Sequence, residues 1–203
     1  MKTILNITGF WVAVLLGAWI YTSQDLQQPP GVLVSDDPHQ EYIVERIWNR
    51  GDAQFTAKAR FDLRARVLST NHYSFDKGAD LSPVDFALGW GRMSDSDVLD
   101  HLVIRQSNRW YFWRPKWGDP LPIPEKELVS HSANMHMIPA DDNVKKTLLD
   151  VRAGELVTIA GYLVQVDRPH GWIWRTSLSR TDTGMNACEL VWVDRIYITR
   201  PGE

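Results

Sequence analysis

The densest run of chemically capable side chains is Ser130-His131-Ser132-Ala133-Asn134-Met135-His136-Met137. Its two imidazoles could ligate a metal or act as a general base, with a carboxylate or thiol completing a hydrolytic set. The spacing argues against a chelate. Five residues apart, His131 and His136 point to opposite faces of a strand and stand about 140° apart on a helix. The His-Glu-x-x-His zinc pattern is absent. An extended chain puts Ser132, Asn134 and His136 on one face, and His131, Ala133 and Met135 on the other. That arrangement suits a hydrogen-bonded polar layer better than catalysis or a metal site.

Two further segments carry candidate chemistry. Cys188 is the single cysteine, so the chain has no internal disulfide and no Cys-rich zinc or iron–sulfur ligation. It could serve as a nucleophile if the fold brought it to His131 or His136, but a cysteine opening a strand is more simply a small buried hydrophobe. In Ser177-Leu178-Ser179-Arg180-Thr181-Asp182-Thr183-Gly184, the Asp182-Thr183-Gly184 tripeptide resembles the aspartic protease loop, whose aspartate shares a proton with a second one. Here Arg180-Thr181 replaces the apolar strand that precedes that loop, and no second such tripeptide occurs. A tight turn explains the residues better, with Asp182 accepting backbone amides and Gly184 at positive φ. His131, His136, Asp182 and Cys188 thus stand as catalytic candidates with none assigned. No phosphate loop, dinucleotide fingerprint, Gly-x-Ser-x-Gly elbow or calcium loop occurs, and no cofactor or metal is expected.

Binding chemistry concentrates in Arg109-Trp110-Tyr111-Phe112-Trp113-Arg114-Pro115-Lys116-Trp117, which gathers three of the chain's 10 tryptophans, a tyrosine and a phenylalanine among basic residues. On a strand, Trp110 and Phe112 face one way, and Tyr111, Trp113 and the arginines the other. Trp, Tyr and Arg dominate binding hot spots and stack on sugar rings, which makes Trp110, Trp113, Arg114 and Trp117 candidates for contacting a protein or glycan. The competing reading is a two-sided core with snorkelling arginines. Nucleic acid is disfavoured, because 22 basic against 25 acidic residues leave a net charge of −3. A basic row of Lys58, Arg60, Arg64 and Arg66 would suit nucleic acid or anionic lipid only on a cytoplasmic domain, and Asp62 interrupts it. The proline-rich Asp119–Pro124 stretch reads as a stiff loop.

The elements that position these residues begin with an N-terminal membrane anchor, residues 1–24. Residues 3–24 contain no charge and would span roughly 33 Å as a helix, against a hydrocarbon core of ~30 Å. Trp19 and Tyr21 suit its far interface, and no small-x-small cleavage pattern follows it. Lys2 precedes the span and no Lys or Arg follows before Arg46, so the expected topology is a single pass through the cytoplasmic membrane, N-terminus in and C-terminal domain outside. Residues 25–41, with Pro29 and Pro30, read as a tether. Residues 42–203 form one β-rich domain.

Within it, Phe55 to Val67 alternates apolar and polar without interruption, the signature of a half-buried strand. Ser82-Pro83-Val84-Asp85 has the form of a capping box opening a short helix that Gly89 ends; Ser94-Asp95-Ser96-Asp97 opens a second; a third runs from Asn143 to Arg152. Leu156–Val166, Trp172–Ser177 and Glu189–Ile198 read as strands. Gly154 to Leu163 resembles the turn-and-strand pattern of the OB-fold. The expected class is α+β, mainly β: a curved antiparallel sheet or small OB-like barrel with short helices, preceded by a transmembrane helix. The expected function is an anchored protein whose outward domain binds or scaffolds another envelope component. The alternative is a tethered hydrolase using His131, Asn134 and His136 with Asp182 or Cys188.

Overall fold

The computed structural model describes residues 26–179 and 188–201. Its organising element is β2 (Ala53–His72), a 20-residue strand whose alternation buries Phe55, Ala57, Ala59, Phe61, Leu63, Ala65 and Val67 on one side. Along one edge of β2, β7 (Leu156–Arg168) pairs antiparallel from Gln54 to Arg66. The other edge is shared. β1 (His39–Arg50) covers Ala53–Asp62, and β3 (Val84–Gly89) covers Arg66–His72. From β3 the hydrogen bonding passes to β6 (Ser132–Pro139), then in parallel to β9 (Glu189–Thr199), then antiparallel to β7 and so back to β2. The domain is mainly β, and its sheet curves until the pairing closes on itself.

A β-bulge gives this sheet two cores. Ala57 and Ala59, two residues apart on β2, face Val164 and Leu163, which are adjacent on β7. The extra residue twists the ladder locally. On one side of the bulge, Ala59, Phe61 and Leu163 join the barrel core with Phe86, Met135, Met137 and Val191. On the other, Ala57 and Val164 join a second core with Phe55, Val166, Ile138 and Leu190. Helix α3 (Asp142–Asp150), capped by the Asp141 side chain on the Val144 amide, plugs the barrel core with Val144 and Leu148. β8 (Trp172–Trp174) adds to β7.

Between β3 and β6 the chain makes helix α1 (Ser96–Leu99), a separate hairpin of β4 (Leu102–Ser107) and β5 (Trp110–Pro115), and helix α2 (Glu125–Ser130). A third cluster of Met93, Val98, Leu102, Ile123 and Leu128 lies under this insertion, with Trp113 against it.

Several expectations need correction. Residues 84–89 are strand β3, not a helix: Val84, Phe86 and Leu88 alternate into the barrel core, a tertiary gain that outweighs the capping signal of Ser82. Trp172–Ser177 pairs only over Trp172–Trp174. Residues 26–34, read as tether, lie on the domain as an extended strap: the Leu26 amide donates to the Ala153 carbonyl, the Gly31 amide to Asp95, the Leu33 and Val34 amides to the Ser94 hydroxyl, and Val34 enters the core. The expected membrane span falls outside the described residues, among which no helix is long and apolar enough to cross a membrane.

Barrel closure between β7 and β9 depends on Gly161, where an added β-carbon would lie 1.9 Å from the Trp192 carbonyl oxygen, beside a register shift. Gly161→Ala is expected to lower stability by about 2–3 kcal/mol through forced strand separation, read as a fall in Tm. An unchanged Tm would show that this closure is not tight.

Candidate functional site

Alternation along β6 sends Met135 and Met137 into the barrel core, and Ser132, Asn134 and His136 to its outer surface. That surface would ordinarily be wet. Here all three side chains are buried, Ser132 and Asn134 beneath the β4–β5 hairpin and His136 beneath Trp174. Ser132 Oγ donates to the Leu128 carbonyl at 2.7 Å, and the Tyr111 hydroxyl reaches Ser132 at 3.2 Å. Asn134 Oδ1 accepts from Gln106 Nε2 at 2.6 Å, and its Nδ2 donates to the Arg109 carbonyl at 3.1 Å. Cys188 Sγ sits 3.8 Å from both Asn134 Nδ2 and the Arg109 carbonyl.

The centre of the layer is Asp85, on β3 opposite His136 and without solvent exposure. Its Oδ1 accepts from Arg109 Nη1 at 2.7 Å. Its Oδ2 lies 2.9 Å from His136 Nδ1, outside the direction of a hydrogen bond, and both atoms are buried without another partner. Arg109 is fully engaged. Nη2 and Nε hold both oxygens of Asp76 at 2.9–3.1 Å, Nη2 also donates to the Ser82 carbonyl at 2.9 Å, and the guanidinium lies 3.7 Å from the Tyr73 ring centre. The Trp174 ring covers His136 at 4.8 Å between ring centres.

This reach has a backbone cost. Asn108 and Arg109 form the two-residue turn of the hairpin, with φ of +51° and +67°. A turn of this hand matches the twist of paired strands but favours Asn-Gly. Arg109 accepts the left-handed strain, and its amide donates to the Tyr73 hydroxyl at 3.0 Å. Burial, then the Asp85 charge, raises the Tyr73 phenol above its ordinary pKa, opposed by the hydrogen bonds to Arg109 and Asn71. Burial pushes Tyr111 up to about 12, opposed by Ser132; the ring is half-buried, but its hydroxyl lies inward.

The structure thus brings together Ser132, Asn134, His136 and Cys188, and leaves His131 out. His131 ends α2, with Nδ1 3.0 Å from the Glu127 carbonyl and Nε2 3.9 Å from Asp37. Asp182 lies outside the described residues. On β5, Tyr111 and Trp113 face inward while Trp110, Phe112 and Arg114 face out, so Arg114 belongs with the exposed aromatics and not with Tyr111. Trp117 stands wholly exposed in the turn beyond β5. Sequence reasoning missed Asp85, Tyr73, Asp76 and Trp174 as members of the layer. One signal was available: Asp85 is the lone charge within Val84–Leu88, an otherwise apolar run.

Among the described residues, no three His, Cys, Asp or Glu side chains gather as a metal ligand set. No family model, curated protein or solved structure matches the chain.

Removing one member of a buried ion pair strands the other. Asp85→Ala and Arg109→Ala are each expected to cost about 3–5 kcal/mol, and the double variant much less than their sum. Additivity in denaturant unfolding would show that the pair is not coupled. Tyr111 gives a pH signature. Its folded pKa exceeds the ordinary value of about 10, so the native state binds more protons than the unfolded one between pH 10 and 12, and stability falls there by at most ~1.4 kcal/mol per pH unit. Tyr111→Phe should flatten that alkaline slope; an equal slope in both proteins would place the hydroxyl in water.

Proposed function

We propose that the protein is a membrane-anchored binding module. Residues 3–24 hold it in the cytoplasmic membrane, and its outward domain binds another envelope component, a protein or a glycan. We read the strand order β2-β3-β6-β9-β7, returning to β2, with α3 between its third and fourth strands, as an OB-like barrel. OB-folds bind ligands along the face of their second and third strands and in the flanking loops. In this chain that face is the buried layer of Asp85, Asn134 and His136, occupied by the chain's own hairpin.

The binding surface is therefore carried outward to the hairpin. The observation supporting this is the exposed row of Trp110, Phe112 and Arg114 on a strand whose inward residues are fixed and whose tip is held by Arg109. Exposed Phe75 neighbours Asp76 on the other side of that clasp. Rigid aromatics bind at low entropic cost. With the strap docked from Leu26 onward, an anchor ending near residue 24 would hold this surface close to the bilayer.

One observation favours the second reading, a tethered hydrolase. Asp85 Oδ2 lies 2.9 Å from His136 Nδ1, the distance but not the direction of a carboxylate that orients a base, and Cys188 lies beside Asn134 in the same layer. In that role His136 would be the base and Cys188 the nucleophile.

Purification of the tagged full chain from gently solubilised native membranes separates the two. A stoichiometric co-purifying component is expected, lost on Trp110→Ser with Phe112→Ser while Tm stays unchanged. A partner-free particle, or capture that survives both substitutions, would overturn the binding reading. An activity that His136→Ala abolishes without loss of stability would establish the second.

A further inference from the structure

The loop from Lys116 to Pro124, between β5 and α2, takes no part in the polar layer or in the outward row of β5. Its shape is fixed. The Lys116 amide donates to the His101 carbonyl at 2.8 Å, the Asp119 amide closes a turn on the Lys116 carbonyl at 3.1 Å, and Asp119 Oδ2 lies 2.9 Å from His101 Nδ1. Gly118 has φ of +85°, the value a type II turn requires at its third position. Pro120, Pro122 and Pro124 stiffen the rest, and Ile123 is buried in the third cluster. Two apolar side chains of this rigid loop are left in solvent: Trp117 is 99% exposed and Leu121 40%. Trp117 therefore buries almost nothing against its own domain.

The loop also lies where the strap meets the domain. The Leu26 amide donates to the Ala153 carbonyl at 2.9 Å, and Leu26 and Gln27 line the same surface cavity as Lys116, Ala153 and Gly154. From a span ending at Gln24, two extended residues reach Leu26 within about 7 Å. The polar layer on each face of a bilayer is about 5–8 Å thick. Leu26, and Lys116 across the cavity from it, are thereby held at the level of the headgroups.

We propose, resting on the anchored topology above, that the Lys116–Leu121 loop is a second membrane contact, with Trp117 seated in the headgroup layer of the bilayer that residues 3–24 cross. Indole favours that layer, where its ring is shielded and its N–H stays hydrated, and a neighbouring lysine is a common companion there. Because the anchor already holds the loop at the surface, a contact too weak to bind a free domain is enough to fix the domain's orientation. Trp110 lies about 17 Å back along β5 from Pro115, so the outward row keeps its end of the hairpin for a partner.

The test uses the full chain reconstituted in phosphatidylethanolamine–phosphatidylglycerol vesicles, with acyl chains either plain or brominated near the headgroup, and reads tryptophan fluorescence. The emission of one tryptophan is the difference between the wild-type chain and its Trp117→Phe, Trp19→Phe or Trp110→Phe variant. In brominated vesicles the Trp117 and Trp19 emissions are expected to fall by roughly half or more, and the Trp110 emission to stay unchanged. Being wholly exposed, Trp117 is replaced by Phe without loss of Tm. An unquenched Trp117 beside a quenched Trp19 would overturn this contact and leave the anchor standing. Equal quenching of Trp110 and Trp117 would overturn it as well, by laying the whole hairpin on the bilayer. An unquenched Trp19 would overturn the anchor and this contact together.

Discussion

The contact on which the domain's upper half depends is the Arg109–Asp85 pair. A carboxylate without solvent exposure loses several kcal/mol of hydration, and only a well-formed partner makes the position tolerable. Arg109 supplies that partner at 2.7 Å and uses its remaining donors on Asp76 and Ser82. One guanidinium thereby joins β3, the loop between β2 and β3, and the tip of the β4–β5 hairpin. The hairpin shares no ladder with the main sheet, so its place on β6 is set by this clasp and by the Gln106–Asn134 and Tyr111–Ser132 bonds. The positive φ of Arg109 fits this view. Strain at a hairpin tip persists where surrounding contacts over-determine it, and here Tyr73, Asp76, Ser82, Asp85 and Asn134 all hold Arg109.

Beneath the clasp, a single bulge decides how one strand can serve two cores. Without the extra residue between Ala57 and Ala59, β2 would present one continuous face to one neighbour. With it, the first half of β2 turns toward Ile138, Leu190 and the Trp48–Phe55–Trp192 cluster, and the second half closes the barrel. The outer face of β6 is then divided along its length. Ile138 falls under the second core, His136 under Trp174, and Asn134 and Ser132 under the hairpin.

What could be read from the residues follows the same division. The alternation of β2 was legible because a half-buried strand writes its period directly into the sequence, and the polar face of Ser132, Asn134 and His136 followed from the same rule. The bulge was not, since Phe55 through Val67 alternates straight through it and only the partner strand records the shift. Ser82-Pro83-Val84-Asp85 was misread because a capping box and a buried Asp need the same residues; the deciding information was Arg109, in contact with Asp85 from 24 positions away. Arg109 falls in the parity of Tyr111 and Trp113, yet its partners on β3 and in the loop before it are ones that no period connects to it. Prolines signal extension and say nothing about docking, so the strap reads as a spacer in sequence; Val34 in the core shows the difference.

Access decides how the buried layer bears on chemistry. For His136 to take a proton from a substrate, Nε2 must meet it, and Trp174 lies over the ring. Trp174 is itself seated tightly: a β-carbon added to Gly78 would fall 2.5 Å from its indole, so glycine is what lets the ring lie there. On its other side the guanidinium of Arg109 stands 5.4 Å from the ring centre. Turning the indole away would uncover the Asp85–His136 pair and remove one ring face from beside the Arg109 guanidinium. A base at His136 would need that ring to move at each turnover, whereas the proposed binding surface of Trp110, Phe112 and Arg114 needs the layer to stay closed. The burial of His136 is therefore an argument for the proposed binding reading over the proposed hydrolase.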